Sequence, residues 1–165
     1  MAAAAVALIG CSSDASPAAV TTAAPVTTIT PMTFEPDGGC GDAEFFALGR
    51  NGTSRLFVAI DQHSRSTTAP TELDIELPDD AISVGLDRGV NLGQLVCNDA
   101  PMDARIDSTT HAVTGSVTVR LDPRGLGASG CGVHGEVELH DVVMDDGTPV
   151  ADLRIGSEGI GCYVG

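Results

Sequence analysis

The sequence predicts an all-β protein, an antiparallel β-sandwich of immunoglobulin-like form with about seven to nine strands. Three observations predict this class. Apolar and polar residues alternate with a period of two in successive segments, and turn-forming residues separate those segments. No helix-length segment carries a 3.6-residue apolar period. A partly open antiparallel barrel fits the same pattern.

The alternating segments follow one another along a domain that we place at residues 34–165. Each predicts a half-buried strand, with apolar side chains on the core and polar side chains in water. The apolar sets, in chain order, are Leu73/Ile75/Leu77, Ile82/Val84/Leu86, Val113/Val117/Val119/Leu121, Val133/Val137/Leu139 and Ala151/Leu153/Ile155.

Two Gly-containing dipeptides predict tight hairpins between strands. Asn51-Gly52 separates residues 43–50 from residues 53–60, and Asp146-Gly147 separates residues 133–144 from residues 150–155. Both dipeptides favour the positive φ angles that two-residue hairpin loops require. We therefore expect the strands on either side of each dipeptide to pair with one another.

The N-terminal residues carry a short motif. Leu8-Ile9-Gly10-Cys11 follows the apolar run Ala2–Ile9 and precedes the polar Ser12-Ser13-Asp14. This pattern resembles the lipobox of bacterial lipoproteins, in which the cysteine receives a diacylglyceryl group and becomes the mature N-terminus. The resemblance implies that residues 1–10 are a partial leader, that Cys11 is the lipidation site, and that the protein lies on the extracytoplasmic face of the cell membrane. No basic residue precedes the apolar run. Either translation starts upstream, or the run is an ordinary apolar N-terminus.

Residues 11–33 predict a tether between Cys11 and the domain. The segment after Cys11 is almost entirely Ala, Thr, Ser, Pro and Val. Such a composition buries too little surface to offset its ordering entropy. We expect an extended spacer, at roughly 3 Å per residue if it is PPII-like.

The sequence has five cysteines. An odd count in a secreted protein needs an explanation for the unpaired thiol. Lipidation of Cys11 would leave two disulfides, and we favour Cys40–Cys97 and Cys131–Cys162 among the three possible pairings. No CxxC pair indicates a structural zinc site.

The charge excludes one class of function. The formal net charge is −15, from 23 acidic and 8 basic residues, and every basic residue is arginine. Such a surface repels nucleic acid, which proteins bind by neutralising phosphate with Lys and Arg. We expect no nucleic-acid partner.

One segment suggests metal chemistry. His134, Glu136, Glu138 and His140 alternate along a predicted strand and would project from one face. Imidazole and carboxylate groups are ligands for zinc or copper. A solvated strand face would show the same residues, so both interpretations stay open.

No motif indicates catalysis or a cofactor. The G-x-S-x-G sequence of a nucleophile elbow is absent, and the glycine-rich segments do not join a strand to a helix. The Arg-without-Lys composition resembles that of secreted all-β proteins of high-GC bacteria, a resemblance that implies no particular activity. We expect a non-enzymatic, lipid-anchored domain that binds an envelope protein, a glycan or a small ligand. The alternatives are a secreted metal-binding β protein and a passive spacer.

Overall fold

The structure is a computed structural model that describes residues 29–40, 43–61, 69–97, 103–122 and 133–160. Within these ranges the chain forms eight β-strands and one short 3-10 helix, Leu92–Leu95. The strands are β1 (Glu35–Cys40), β2 (Glu44–Leu48), β3 (Ser54–Ile60), β4 (Thr71–Glu76), β5 (Ile82–Val90), β6 (Arg105–Asp122), β7 (Val133–Met144) and β8 (Leu153–Ile160). No helix in the described ranges has the length and hydropathy of a membrane span.

The eight strands form one antiparallel sheet in the order β1-β2-β3-β5-β6-β7-β8, and β4 pairs with β6 beside this path. Strands β1 and β8 also contact each other. There, the Ser157 hydroxyl donates a hydrogen bond of 3.0 Å to the Gly39 carbonyl. The prediction of an antiparallel all-β fold is confirmed, as are both hairpins. The arrangement is barrel-like, however, and does not show the two separate sheets of an immunoglobulin-like sandwich.

The long strand β6 explains this difference. Its first half pairs with β5, whereas its second half pairs with both β4 and β7. Gly115 lies at an irregularity between the halves with φ +118°, and a Cβ there would lie 2.7 Å from the Val142 Cα. Glycine allows this conformation and this close approach. One strand can therefore bend from one side of the barrel to the other.

The bend also changes which side chains face the core. Val117 and Val119 are fully buried as predicted, but Val113 is 44% exposed and Ala112 is buried in its place. Strand β7 changes face at the same level, because Asp141 adopts φ +52° and Val142 is buried. The expectation that Val113 faces the core is therefore wrong, because the bulge shifts the period-two alternation by one residue.

The core is mainly aliphatic and lies inside the curled sheet. Its large fully buried residues include Phe45, Leu56, Leu86, Leu139 and Ile155. Fully burying a side chain of this size contributes about 1.5–3 kcal/mol. The predicted core positions of β4 and β5 are confirmed, since Leu73 and Ile75 pack against the core and Val84 is buried.

The segment after β5 crosses the outer face of the sheet. It begins beside the β2–β3 turn, where the Leu92 amide donates to the Gly52 carbonyl (3.1 Å), and it ends at Cys97. Cys97 forms a disulfide with Cys40 at the end of β1, with a Cα–Cα distance of 5.6 Å. We call residues 91–97 the strap. The first predicted disulfide is therefore present, whereas Cys131 and Cys162 lie outside the described residues.

The barrel has two distinct ends. At one end, Met32 forms a parallel bridge with Val150, and its amide donates to the Pro149 carbonyl (2.9 Å). We call this the Met32 end. The opposite end contains the start of β4, the end of β6 and the start of β7. The 12 residues of β7 separate the two ends by at most about 40 Å.

Candidate functional site

The outward side chains of β4, β6, β7 and β8 form one polar surface, the four-strand face. The strand register aligns them in transverse rows. The rows are Glu72/Arg120/Glu136/Gly156, Asp74/Thr118/Glu138/Arg154 and Glu76/Ser116/His140, and Asp152 extends the third row.

Arg120 is the centre of an ion-pair ladder on this face. Its guanidinium lies 3.2 Å from carboxylate oxygens of Glu72, Glu136 and Glu138. The hydrogen bond to Glu72 is the main reason that the pKa of Arg120 is raised above its ordinary value. Arg154 contacts Glu136 and Glu138 from the other side. Exposed pairs of this kind contribute about 0–1 kcal/mol each, so the ladder chiefly fixes side-chain positions.

The ladder uses two of the four residues that the sequence suggested as metal ligands. Glu136 and Glu138 bind arginines, and His134 and His140 are six positions apart on β7, or about 20 Å. The described residues contain no group of three or more His, Cys, Asp or Glu side chains that could hold a metal ion. The four predicted residues share a face as expected, but they do not converge on one point.

His140 instead pairs with Asp152. The His140 Nδ1 lies 3.3 Å from an Asp152 carboxylate oxygen, and the Asp141 amide donates to the other oxygen (3.2 Å). The amide of Asp141 is the main cause, and His140 the next, of a lowered Asp152 pKa. Ser116 is the register partner of His140 on β6, but no hydrogen bond joins the two side chains in the described structure. The row therefore contains a Ser, a His and an Asp, the residue types of a catalytic triad. In the part of the chain that the structure describes, the Ser116 hydroxyl is not hydrogen-bonded to the His140 imidazole that would activate it.

A cleft of about 770 Å³ opens at the end of the barrel opposite Met32. The polar groups that line it include Thr71, Glu72, Arg120, His134 and Glu136. Gly156 leaves space in the cleft, because the nearest heavy atom to a Cβ built there is 4.0 Å away. Arg120 is already paired with Glu72 and Glu136, so the cleft offers a ligand the remaining acceptor sites of these carboxylates and the His134 imidazole. This mixture suits a hydroxyl-rich compound.

Sequence reasoning did not find a buried polar cluster under the strap. Arg55 and Asp87 point outward from β3 and β5, yet their side chains are only 13% and 2% exposed. Asp87 accepts hydrogen bonds from Arg55 (2.5 and 3.0 Å) and from the Thr109 hydroxyl (2.6 Å). The Arg55 Nη1 also donates to the Leu95 carbonyl in the strap (3.5 Å). The cluster therefore links the strap to three strands of the barrel.

Aromatic rings complete this cluster. The Arg55 Cζ lies 5.3 Å from the ring centroid of Phe46 and 5.7 Å from that of Phe57. A Cβ at Gly85 would lie 2.2 Å from the Phe57 ring, so only glycine leaves room for the ring at this position. Because Arg55 and Asp87 satisfy each other's charge and hydrogen bonds, the cluster offers no free polar group to a ligand. Its role is structural.

At the Met32 end, the Asp146 carboxylate in the β7–β8 turn binds Arg88 of β5 and the Thr148 amide. The titration of this carboxylate predicts a pH dependence of stability. Hydrogen bonds from the side chain and amide of Thr148, and then from Arg88, lower the pKa of Asp146. Such a group stabilises the fold above the unfolded-state pKa of about 4, and this contribution is lost as the pH falls through the lower folded-state pKa. We expect Asp146→Asn to lose stability at neutral pH and to approach the wild type as the pH falls through the lowered folded-state pKa of Asp146.

Urea unfolding of both proteins at several pH values measures this difference. Asp145→Asn, at the neighbouring turn position, is the matched control. A constant gap between Asp146→Asn and the wild type from neutral pH to acid would contradict the assigned role of the carboxylate.

No protein-family model, curated protein or solved structure matches this chain.

Proposed function

We propose that this protein is a lipid-anchored extracytoplasmic binding protein. In this proposal Cys11 carries the lipid, residues 12–33 form the tether, and the barrel binds an envelope ligand in the cleft opposite Met32. The observation that carries the proposal is the position of Met32 relative to the cleft. The chain enters the barrel at one end, and the cleft lies at the other.

This geometry suits a tethered binder. The 21 residue-to-residue steps from Cys11 to Met32 span about 65 Å when extended as PPII. A chain anchored at Cys11 would therefore hold the Met32 end toward the membrane and the cleft toward the envelope. Loops and strand ends on a rigid β scaffold commonly carry recognition.

The disulfide supports an extracytoplasmic location. Structural disulfides persist in oxidising compartments and are rare in the cytosol. The described residues contain the Cys40–Cys97 bridge. The other predicted pair is consistent with the register, because Val133 and Ile160 are partners. Cys131 precedes Val133 by two residues and Cys162 follows Ile160 by two. This pairing would leave Cys11 as the thiol available for lipidation.

The lipid anchor can be tested with one substitution. We expect the wild-type chain, expressed in a bacterium with its native upstream sequence, to incorporate labelled fatty acid and to partition into detergent. Cys11→Ser should abolish both, because it removes the acceptor thiol and with it the acyl chains that provide durable attachment. Ser12→Ala is the control and should behave as the wild type. Labelling that survives Cys11→Ser would contradict the proposal.

The cleft can be tested with a blocking substitution. Gly156→Tyr places a ring in open space and should reduce capture of envelope glycans or peptides by the immobilised protein. Ser83→Tyr, at an exposed β5 position away from the cleft, is the matched control. Equal retention by both variants and the wild type would rule out the cleft as the binding site.

A further inference from the structure

One backbone edge of β6 has no strand beside it among the described residues. Strand β5 pairs with one edge over Arg105–His111, and β7 pairs with the opposite edge only from Ala112 onward. The last contact on the β7 side is the Asp145 amide, which donates to the His111 carbonyl (2.8 Å) before the chain turns away. Residues 105–110 therefore present backbone N–H and C=O groups along an edge that can accept another strand.

One large apolar side chain is exposed in this edge segment, residues 105–110. Ile106 is 45% exposed, and Val90 on β5, the register partner of Arg105, is 41% exposed. The other exposed large apolar residues in the described ranges are Ile29 and Val113. Ile29 precedes the barrel, and the bulge near Gly115 accounts for Val113. Val90 lies on β5, across β6 from the open edge. Ile106 lies on the edge strand itself and has no such local explanation, and an exposed apolar residue on an edge strand favours pairing with a further chain.

The charges at this edge are self-complementary. Arg105 and Asp107 flank Ile106 and form an ion pair with each other (2.7 Å), and both stay exposed, at 69% and 53% of their side chains. Antiparallel pairing of two identical edges about Ile106 would place each Arg105 opposite the partner's Asp107. A shift of the centre by one residue, to Asp107, would place two like charges directly opposite each other, which is destabilising. The charge pattern therefore favours the register centred on Ile106 over the register centred on Asp107.

We propose that two copies of this protein form a two-fold symmetric dimer through antiparallel pairing of their β6 edges, centred on Ile106. The sheet continues from one barrel into the other, and each copy contributes the same surface, as an isologous interface requires. The edge lies near the Met32 end, since Arg88, the register partner of Ser108, contacts Asp146 and Thr148 there. The dimer leaves the four-strand face and the cleft open, and it does not depend on the proposed lipid anchor.

Sedimentation equilibrium of the full chain carrying Cys11→Ser tests this proposal. We expect a monomer–dimer equilibrium, and Ile106→Lys should raise the dimer dissociation constant at least about tenfold, because it places two like charges at the centre of the interface. Val113→Lys makes the same change at an exposed apolar position off the open edge and should leave the constant unchanged. Arg105→Asp and Asp107→Arg should each weaken the dimer, and the double variant should restore it.

Three results would overturn the proposal. A monomer at every concentration would exclude self-association. A dimer that tolerates Ile106→Lys and both charge reversals would place the interface elsewhere. Slow hydrogen exchange of the amides of residues 105–110 in a monomeric sample would show that a segment of the same chain occupies the edge.

Discussion

Replacing Cys97 by serine is expected to lower the free energy of unfolding by about 2–4 kcal/mol. The Cys40–Cys97 bridge closes a long loop, with a sequence separation of 57 residues, and so restricts the unfolded chain strongly. It also fixes the end of the strap that covers Arg55 and Asp87. Loss of the bridge should therefore speed hydrogen exchange of the strap amides, residues 91–97, more than that of the β3 core.

Urea denaturation of the wild type, Cys97→Ser and Cys40→Ser measures this effect. Both variants should show the same loss, because they remove the same bond. Cys11→Ser is the matched control and should leave the unfolding free energy unchanged, since Cys11 is predicted to precede the folded domain. A Cys97→Ser variant as stable as the wild type would contradict the role assigned to the bridge.

Asp87→Ala should destabilise the protein by about 3–5 kcal/mol, because it leaves the Arg55 guanidinium buried without its counter-charge. It also leaves the Thr109 hydroxyl without its acceptor. Asp74→Ala is the control on an exposed site, where one hydrogen bond from Thr118 is lost (2.7 Å), and it should cost less than about 1 kcal/mol.

A double variant separates the lost charge pair from lost packing. Arg55→Met combined with Asp87→Leu removes both charges and keeps the cluster filled, so it should recover most of the stability. Thermal and urea unfolding of the three variants provide the comparison. A double variant as unstable as Asp87→Ala would show that the aromatic and strap contacts, and not the unpaired charge, account for the loss.

Much of the fold follows from short-range sequence signals. Leu73 and Ile75, like Val117 and Val119, alternate with polar residues. This alternation predicts strands because one side of each strand faces the core and the other faces water. Asn51-Gly52 predicts its hairpin because the turn requires positive φ angles, and Gly52 indeed has φ +67°.

The parts that were not predicted depend on contacts between distant residues. Strand β1 (Glu35–Cys40) has no apolar alternation, and it forms because β2 pairs with it and β8 contacts it on the other side. The burial of Asp87 depends on a strap that no local pattern indicates. The barrel-like closure depends on Gly115 and Asp141, whose positive φ angles bend β6 and β7 at one level.

The candidate site likewise combines a feature that the local sequence predicts with contacts that it does not predict. The sequence predicted that His134, Glu136, Glu138 and His140 share one face of a strand, and the register confirms this. The partners of these residues could not be predicted, because Arg120, Asp152 and Arg154 come from two other parts of the chain. Those partners turn a suspected ligand set into an ion-pair ladder beside a cleft.

Intact mass spectrometry of the mature protein from its native cell, with and without reduction, tests the central claim of a lipid-anchored extracytoplasmic protein most directly. We predict a chain that begins at Cys11 and carries the added mass of a diacylglyceryl group. Reduction should add four hydrogens, two for each of the disulfides Cys40–Cys97 and Cys131–Cys162. A chain that retains Met1 and carries five free thiols would contradict the anchor and the location together.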